Sequence, residues 1–401
     1  MQAVASEIQV PAVMQAAVYT GSSTVSVETV PTPKIGPGEL LVRVEACGIC
    51  HTDLKKIEYN LLAPPRIFGH ETAGVVVEAG HGVRDFEVGD RVIVFHHIPC
   101  LECFYCRHKL YAQCPVYKKV GVTAGYEPAG GGFSQYVRIM DWIVRRGVEK
   151  IPAGVSFDRA CFVEPVNTCL KGVVQLALQP DEVVVILGQG PIGLLFTMLV
   201  SCGTETEQWG RPPGLHRTPR SGLSITREEA DEGVGRRPGG LPHIIATDTM
   251  PHRRELAMKF GAAAAYDPRD PNLRDRILEM TDGRGADSVI IAASSPGIVE
   301  EAVRYSRPGS RILLFAQTSH QERIDVSGAD LCVGERTLFG SYSASVDLQK
   351  ESADLVFSGA LPVEDLISHR FALNEIRAGI DLALHPEPKS LKIIVQPQRW
   401  A

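Results

Sequence analysis

The sequence lacks long apolar runs, an excess of basic charge and a leader-like start. No stretch approaches the about 20 apolar residues that a membrane-spanning helix needs. The 41 Lys and Arg against 47 Asp and Glu give a net charge of −6, which offers no electrostatic footprint for nucleic acid or an anionic membrane. Residues 1–14 lack the basic start and apolar block of a signal peptide. We therefore expect a cytoplasmic protein with neither nucleic acid nor membrane as partner.

The remaining composition is typical of a globular enzyme, with 44% hydrophobic and 22% charged residues. Its 401 residues suffice for two domains. Ten cysteines in a reducing compartment argue against disulfides and for metal or thiol chemistry. Six of them lie in the first third of the chain: Cys47, Cys50, Cys100, Cys103, Cys106 and Cys114.

Four of these cysteines form the pattern Cys100-x2-Cys103-x2-Cys106-x7-Cys114. Four thiolates this close in sequence can enclose one tetrahedral Zn²⁺ and leave no position for water, which is typical of a structural site. The pattern predicts a structural zinc and, by itself, does not predict an enzyme.

A second group of possible ligands lies apart from this cluster, in the runs Cys50-His51-Thr52-Asp53, Gly69-His70-Glu71 and Glu164-Pro165. A catalytic zinc needs about three protein ligands and one exchangeable position. Cys50, His70 and one carboxylate would supply them. Taken singly, each residue is more often a core or surface residue than a ligand, so the prediction depends on their joint occurrence.

The pattern of secondary structure changes near residue 171. Short β-rich runs between Val25 and Val94, broken by Gly and Pro, indicate a small, partly open β-barrel. From Lys171 onward, strands alternate with helices, which indicates a parallel sheet with crossover helices. Residues 203–242 are rich in Gly, Pro and Arg and have almost no apolar periodicity, so we interpret them as a surface insertion.

A glycine-rich turn follows the strand-like run VVVIL and opens an apolar helix: Gly188-Gln189-Gly190-Pro191-Ile192-Gly193. Between a strand and a helix, G-x-G-x-x-G predicts a dinucleotide site, because the pyrophosphate lies against the helix N-terminus. Asp248, at the end of the next predicted strand, should accept hydrogen bonds from the ribose and repel a 2′-phosphate. This favours NAD over NADP.

The motifs CGICHTDL, FGHETAG, the four-cysteine pattern and the glycine fingerprint, in this order, resemble the zinc-containing medium-chain alcohol dehydrogenases. The pair Glu164-Pro165 resembles the sorbitol (polyol) dehydrogenase-like branch, where a carboxylate replaces a cysteine. The resemblance covers the chain except the first fifteen residues and the insertion. It implies an α/β fold with a GroES-like zinc-binding catalytic domain over 1–170, a Rossmann NAD-binding domain over 171–337 and a return to the catalytic domain over 338–401. It also implies a homodimer or homotetramer.

The resemblance implies roles for the metal-site residues. Cys50 and His70 would be zinc ligands, with Asp53 orienting His70 and Cys47 in the core. Glu71 and Glu164 would share the remaining carboxylate role, one on the metal and the other holding a water, and the sequence leaves open which does which.

Cofactor contacts are implied for His51 and Lys392 at the pyrophosphate, Thr168 near the nicotinamide, Arg253 beside the ribose, and Ala292 and Ala316 along the cofactor. These add to Gly188, Gly190, Pro191, Ile192, Gly193 and Asp248.

The expected reaction is hydride transfer between an alcohol, a polyol or another secondary alcohol, and NAD. Zinc would lower the pKa of the substrate hydroxyl, and Thr52 would accept its proton and pass it on. Many relatives have a histidine five residues after the ligand cysteine, where this chain has Lys55. A lysine near its ordinary pKa is a poor base at pH 7, so the end of the proton relay is not assigned.

Two other functions fit the same residues. One is a threonine-, sugar- or primary-alcohol dehydrogenase of the same superfamily. The other is a catalytically silent zinc- and dinucleotide-binding protein, in which Lys55 and the insertion would be signs that catalytic activity has been lost. Candidate pocket residues form a mixed apolar and polar set without an anion clamp: Leu61, Leu62, Phe95 and His96.

Overall fold

The computed structural model describes residues 9–95, 97–117, 130–202, 242–316 and 323–400. The chain divides into two compact units: unit 1 comprises Met1–Lys171 and Tyr342–Ala401, and unit 2 comprises Gly172–Ser341. Among the described residues, no helix is long and apolar enough to cross a membrane. The predicted insertion lies outside the described residues except for its last residue, Pro242.

Sixteen strands are formed by the described residues. They are β1 (Val13–Gly21), β2 (Thr24–Pro31), β3 (Leu40–Gly48), β4 (Arg66–Ile67), β5 (Glu71–Ala79), β6 (Arg91–Val94), β7 (Tyr136–Ile139), β8 (Val148–Lys150), β9 (Val183–Leu187), β10 (His243–Thr247), β11 (Ala264–Tyr266), β12 (Ala286–Ile291), β13 (Ser306–Leu314), β14 (Thr337–Gly340), β15 (Ile367–Ala372) and β16 (Lys392–Gln396).

The same described ranges contain twelve α-helices. They are α1 (His51–Glu58), α2 (Phe104–Arg107), α3 (Asp141–Val144), α4 (Phe157–Ala160), α5 (Val163–Leu176), α6 (Pro191–Cys202), α7 (Pro251–Lys259), α8 (Leu273–Met280), α9 (Ile298–Tyr305), α10 (Gly328–Cys332), α11 (Gln349–Phe357) and α12 (Ile376–Leu384). Short 3₁₀ helices span Tyr111–Gln113, Val346–Leu348, Val363–Leu366 and Leu373–Glu375.

Unit 1 is built on a sheet of order β15-β16-β3-β5-β6-β8, with β7 also paired to β3, and on a smaller sheet of order β2-β1-β4. Strands β3 and β5 are antiparallel, and their register places Cys47 opposite Thr72 and Gly48 opposite Glu71. The end of β3 therefore lies beside the start of β5. This brings residues about twenty positions apart in sequence to one place in the fold.

Unit 2 contains a six-stranded parallel sheet of order β11-β10-β9-β12-β13-β14. Every residue of β9 is buried. This agrees with its wholly apolar sequence, which is typical of a parallel strand that is covered on both faces. Strand β10 lies on one side of β9 and β12 on the other. The connections thus reverse direction at β9, where open α/β sheets bind ligands beyond the carboxyl ends of the strands. The predicted parallel sheet is confirmed.

The sequence analysis did not predict β15, which pairs in parallel with β16 at the edge of the sheet of unit 1. Its sequence, ISHRFA, has only weak alternation, and five of its six residues are not fully buried. An edge strand pairs with a neighbour on one side only, so whether it forms depends more on that neighbour than on its own alternation of apolar and polar residues. This is why the sequence gives little signal there.

Candidate active site

The four cysteines of the first pattern converge at one point of unit 1. The sulfur–sulfur distances are 3.8 Å for Cys100 and Cys106, 3.5 Å for Cys103 and Cys106, and 3.6 Å for Cys114 and Cys100. A tetrahedral zinc with Zn–S bonds of about 2.3 Å holds its sulfurs about 3.8 Å apart. The cluster therefore fits a zinc ion with little rearrangement, and its four thiols leave no coordination position for a substrate.

The segment around these cysteines, the cysteine lobe (residues 100–117), is fastened to a distant part of the chain. Tyr111 donates a hydrogen bond shared by the two carboxylate oxygens of Asp347, at 3.0 and 2.9 Å. The hydroxyls of Tyr117 and Ser343 lie 2.5 Å apart. Burial, and then the nearby Asp347 carboxylate, raise the pKa of Tyr111 to about 12, so Tyr111 stays a donor at physiological pH. The lobe thus holds residues 343–347, where the chain re-enters unit 1.

The second candidate metal centre unites Cys50, His70 and Glu71, whose ligand atoms lie within 4.8 Å of one another. Cys50 is the N-cap residue of α1, directly after β3. Glu71 begins β5, and His70 precedes it. The β3–β5 register therefore assembles the site, and one thiol, one imidazole and one carboxylate are a donor set typical of zinc.

His70 is oriented by Asp53, whose Oδ1 lies 3.0 Å from the His70 Nδ1. This leaves Nε2 as the ring nitrogen available to a metal, the arrangement that a carboxylate gives to ligand histidines. Asp53 is fully buried. Burial works against a charged imidazole, but the negative charges of Asp53 and Cys50 hold the pKa of the metal-free His70 well above its ordinary value. The site is therefore strongly electronegative and suited to a cation.

Glu71 is paired with Lys392, whose Nζ also donates a 3.1 Å hydrogen bond to the carbonyl of Ile49. A Cβ on Gly48 would meet the Glu71 carboxylate at 1.8 Å and the Lys392 Cε at 2.7 Å. Only glycine at position 48 leaves room for this pair. Burial opposes the charge of Lys392, but Glu71 and Cys50 raise its pKa. Glu71 thus lies within reach of both a metal and a buried ammonium group.

Glu164 lies in the first turn of α5 and is 7% exposed. Burial, opposed by His70 and reinforced by Glu71, raises the pKa of Glu164 to about 7. Three residues along α5, Asn167 accepts a 2.7 Å hydrogen bond from the Ser345 backbone N–H and donates one of 3.1 Å to the Ser345 carbonyl. Helix α5 is thus fixed to the segment that the cysteine lobe also holds. Glu164 interacts electrostatically with His70 and Glu71 of the candidate metal centre.

Two neighbours of the candidate ligand Cys50 differ in their surroundings. Cys47 is fully buried, with its sulfur 3.7 Å from the Thr72 hydroxyl, and burial raises its pKa. Lys55 is partly buried in α1, and burial lowers its pKa although Cys50 acts in the opposite direction. The direction of the shift means that Lys55 loses its proton at a lower pH than an ordinary lysine does. Its part in the proton relay stays a prediction.

The glycine fingerprint follows β9 directly, and its last three residues, Pro191, Ile192 and Gly193, begin α6 in unit 2. A Cβ on Gly193 would meet the Gly188 carbonyl at 1.8 Å, so the helix can approach the strand only with glycine there. Gly190 has nothing closer to such an atom than the Arg253 guanidinium at 3.9 Å. The open side of the turn is thus the side on which a pyrophosphate can approach the N-terminus of α6.

Asp248, one residue beyond β10, is fixed by two backbone groups. Its Oδ2 accepts a 2.8 Å hydrogen bond from the Gln189 N–H, and its Oδ1 accepts one of 2.8 Å from the Met250 N–H. Arg253 lies 3.8 Å from the same carboxylate. The carboxylate is therefore held at the end of the strand beside the glycine turn.

The other predicted cofactor residues are placed as follows. In unit 2, the Ala292 N–H donates to the Leu187 carbonyl and the Ala316 N–H to the Ile291 carbonyl. Ala292 thus follows β12 and Ala316 follows β13, both at the carboxyl ends of the strands. In unit 1, His51 is exposed at the start of α1, and the Thr168 hydroxyl donates to the Pro165 carbonyl. Their contacts with a cofactor remain predictions. So does a pyrophosphate contact for Lys392, whose ammonium is engaged by Glu71 and Ile49.

The predicted pocket residues differ in exposure, and their place in a substrate pocket stays a prediction. Phe95 is buried in the core at 1% exposure, whereas Leu61 is exposed. His96 lies outside the described residues.

Sequence reasoning missed the Glu71–Lys392 pair, Asn167 and Tyr111. The first needs the β16–β3 pairing, which sets Ile394 opposite Gly48. The other two bond to residues about 180 and 236 positions away. No local motif signals any of these three contacts.

Comparisons with known proteins agree with this geometry. Residues 36–150 match the alcohol dehydrogenase GroES-like domain family, and residues 237–358 match the zinc-binding dehydrogenase family. The chain is 27% identical over 395 residues to the sorbitol dehydrogenase of Bacillus subtilis, covering 97% of this chain and 99% of that protein. It is 28% identical over 366 residues to the L-threonine 3-dehydrogenase of Pyrococcus abyssi, covering 90% and 91%.

Solved structures show the same architecture. A zinc-binding dehydrogenase of Sinorhizobium meliloti bound to NADP superposes with a TM-score of 0.79 at 27% identity, over 96% of this chain and all of that one. The alcohol dehydrogenase TADH of Thermus sp. ATN1 superposes with a TM-score of 0.76 at 25% identity, over 96% and 99%. Zinc and a nicotinamide dinucleotide are the cofactors typical of such enzymes. With both domain families, both ligand clusters and the glycine turn present, the chain belongs to the zinc-binding alcohol and polyol dehydrogenases of the medium-chain superfamily.

Proposed function

We propose that this enzyme oxidises a polyol, or another secondary alcohol, with NAD and catalyses the reverse reduction. The observation behind the substrate class is Glu164, a buried carboxylate beside the Cys50, His70 and Glu71 cluster. In the reaction, the carbinol carbon gives a hydride to the nicotinamide and the hydroxyl loses a proton, so the products are a carbonyl compound, NADH and H⁺.

Some residues of the candidate centre would bind the metal, and Glu164 would transfer a proton. When bound, the metal supplies Lewis acidity that lowers the pKa of a substrate hydroxyl. Cys50, His70 and one of Glu71 and Glu164 would hold it, while Asp53 fixes the His70 ring. The Glu164 carboxyl, with a pKa of about 7 in the metal-free protein, can hold or release a proton at neutral pH.

Thr52 and Lys55 are proposed as the route by which the proton leaves. Both are partly buried in α1, directly after Cys50. The lowered pKa of Lys55 increases the fraction of Lys55 that is neutral at a given pH, and only the neutral Nζ can accept a proton.

We propose NAD rather than NADP as the preferred cofactor. Asp248 is held by two backbone N–H groups, so its carboxylate cannot easily turn away from a ribose. A fixed negative charge at this position accepts ribose hydroxyl hydrogen bonds and repels a 2′-phosphate. Arg253, 3.8 Å from Asp248, is partly neutralised by it and is a weak phosphate ligand.

A substrate panel tests the function. Purified enzyme is assayed with polyols, sugars, L-threonine and simple primary alcohols, each with NAD and with NADP, by NADH or NADPH absorbance. We expect the highest kcat/KM for a polyol with NAD, and its loss in the Glu164→Ala variant. The highest kcat/KM for L-threonine or a primary alcohol would refute the substrate class. Zinc binding without turnover of any member would favour a catalytically silent protein.

L-Threonine is a separate candidate because the Pyrococcus abyssi L-threonine 3-dehydrogenase is as similar to this chain as the sorbitol dehydrogenase. The panel separates the two directly. We also propose a homodimer or homotetramer in the cytoplasm; sedimentation measures the first, and fractionation of the source cells the second.

A further inference from the structure

Gln189, the second residue of the glycine fingerprint, has a side chain that is fully buried. Burying a primary amide is unfavourable unless its polar atoms find partners. Gln189 Nε2 donates to the carbonyl of Ile186 at 3.3 Å, and Gln189 Oε1 accepts a 2.9 Å hydrogen bond from the Thr197 hydroxyl. The side chain therefore points into unit 2, away from the open side of the turn.

These contacts connect three elements of unit 2. Ile186 belongs to β9, and Thr197 lies in α6. The Gln189 backbone N–H donates to Asp248, which follows β10. One residue thus joins the end of a strand, the helix after the turn and the carboxylate expected to bind the ribose.

Thr197 is itself fully buried, and its hydroxyl also lies 3.0 Å from the Gly193 carbonyl, one turn earlier in α6. The hydroxyl is thus shared between the last glycine of the fingerprint and the amide of its second residue. Both contacts brace the turn from its buried side. A phosphate-binding turn binds tightly only if its N–H groups are oriented before the ligand arrives.

We propose that Gln189 and Thr197 are positioning residues for the dinucleotide, which keep the glycine turn and Asp248 in the binding geometry without touching the cofactor. The inference rests on NAD binding at the glycine fingerprint and not on the alcohol substrate. Hydrogen bonds of this kind contribute to binding only through the order that they impose, so their loss should weaken cofactor affinity and leave hydride transfer unchanged.

The test is a double-mutant cycle read by fluorescence titration of the full-length enzyme with NADH. Thr197→Val removes the hydroxyl at constant shape and should raise the NADH Kd about three- to tenfold. The KM for NAD should rise alike, with kcat at saturating NAD within about twofold. Thr197→Ser keeps the hydroxyl and should restore wild-type affinity. In a Gln189→Met background, Thr197→Val should raise the NADH Kd by less than it does in the wild type, because the amide partner is already gone and only the Gly193 contact is lost.

A matched control separates positioning from general destabilisation. Thr281 is a second fully buried threonine of unit 2, and its hydroxyl donates to Ile277 at 2.7 Å, one turn earlier in α8. Thr281→Val should lower Tm without changing the NADH Kd. The proposal is overturned if Thr281→Val and Thr197→Val weaken NADH binding equally, if Thr197→Val has its full effect in the Gln189→Met background, or if Gln189→Met binds NADH as wild type does.

Gln189→Met replaces the amide by an apolar chain of similar length and leaves the Thr197 hydroxyl its Gly193 partner. It therefore decides the test alone if Thr197→Val does not fold. The titration needs no alcohol, so a wrong substrate class would leave its result unchanged.

Discussion

The two metal-ligand clusters of unit 1 differ in how the chain builds them. The cysteine lobe takes its four ligands from fifteen consecutive residues, Cys100–Cys114, and all are thiols. The other cluster takes Cys50, His70 and Glu71 from the junction of two antiparallel strands and lies close to Glu164. A closed, local thiol site can only hold its metal, whereas a mixed site assembled from distant segments leaves room for a substrate. Proximity in sequence therefore distinguishes the four-thiol cluster from the mixed one.

The largest expected effect separates Cys50 from Cys47. Cys50→Ala should lower kcat/KM more than about 10³-fold, because loss of the metal removes several kcal/mol of charge stabilisation. Metal analysis should then find one zinc per chain in place of two. Cys47→Ala, a variant at a fully buried cysteine, should keep both zinc ions and activity within about threefold. Zinc loss in Cys47→Ala with retention in Cys50→Ala would reverse the assignment.

A substitution in the cysteine lobe should lower the thermal stability of the protein more than its catalytic rate. Cys103→Ser removes one of four ligands from a site whose metal contributes folding free energy, so we expect Tm to fall by more than about 10 °C. At low temperature, the remaining folded protein should keep its second zinc and measurable turnover. Cys332→Ser, at an exposed cysteine, is the control and should leave Tm unchanged. An unchanged Tm in Cys103→Ser would show that the lobe holds no stabilising metal.

The pH dependence of the metal-free protein tests the catalytic cluster. The pKa of Glu164 is about 7 in the folded state against an ordinary value of 4.5. A raised folded-state pKa means that the folded protein retains a proton which the unfolded chain loses. Its contribution to stability is thus complete below pH 4.5 and is lost as the pH rises through 7.

We expect the free energy of unfolding of chelated wild type to fall by about 3 kcal/mol across this window relative to Glu164→Gln. Denaturant titrations at pH 4.5 and 7.5 give this difference directly. Parallel pH profiles of the two proteins would contradict the raised pKa.

The smallest effect concerns the contact that fastens the cysteine lobe to the re-entry segment. Tyr111→Phe removes the hydroxyl that donates to Asp347 and should cost about 1 kcal/mol of unfolding free energy. Tyr105→Phe, at an exposed tyrosine of the same lobe, should change stability by less than about 0.5 kcal/mol. Equal effects of the two substitutions would show that the contact with Asp347 is not stabilising.

The parts of the site that the sequence predicts are those whose signals are local. The cysteine spacing, the run after Cys50 and the glycine turn after VVVIL each carry their chemistry within about fifteen residues. The parallel sheet follows for the same reason, since β9 is apolar throughout, α6 is mostly apolar, and the two lie next to each other in the chain. The edge strand β15 has no such signal and went unpredicted.

The contacts between distant segments, and the pKa values of the groups that they bring together, were decided only by the tertiary structure. The β3–β5 register and the return of β16 set Lys392 against Glu71, and burial shifts the pKa values of Glu164 and Lys55. A sequence identifies the ionisable groups, but their pKa values depend on the local dielectric and on distances between charges, which only the folded chain defines. The amino-acid sequence alone thus determined the family and the dinucleotide turn, and it predicted both candidate ligand sets. The fold alone decided which carboxylate faces a buried lysine and how the glycine turn is braced, because these depend on contacts between segments that are far apart in the chain.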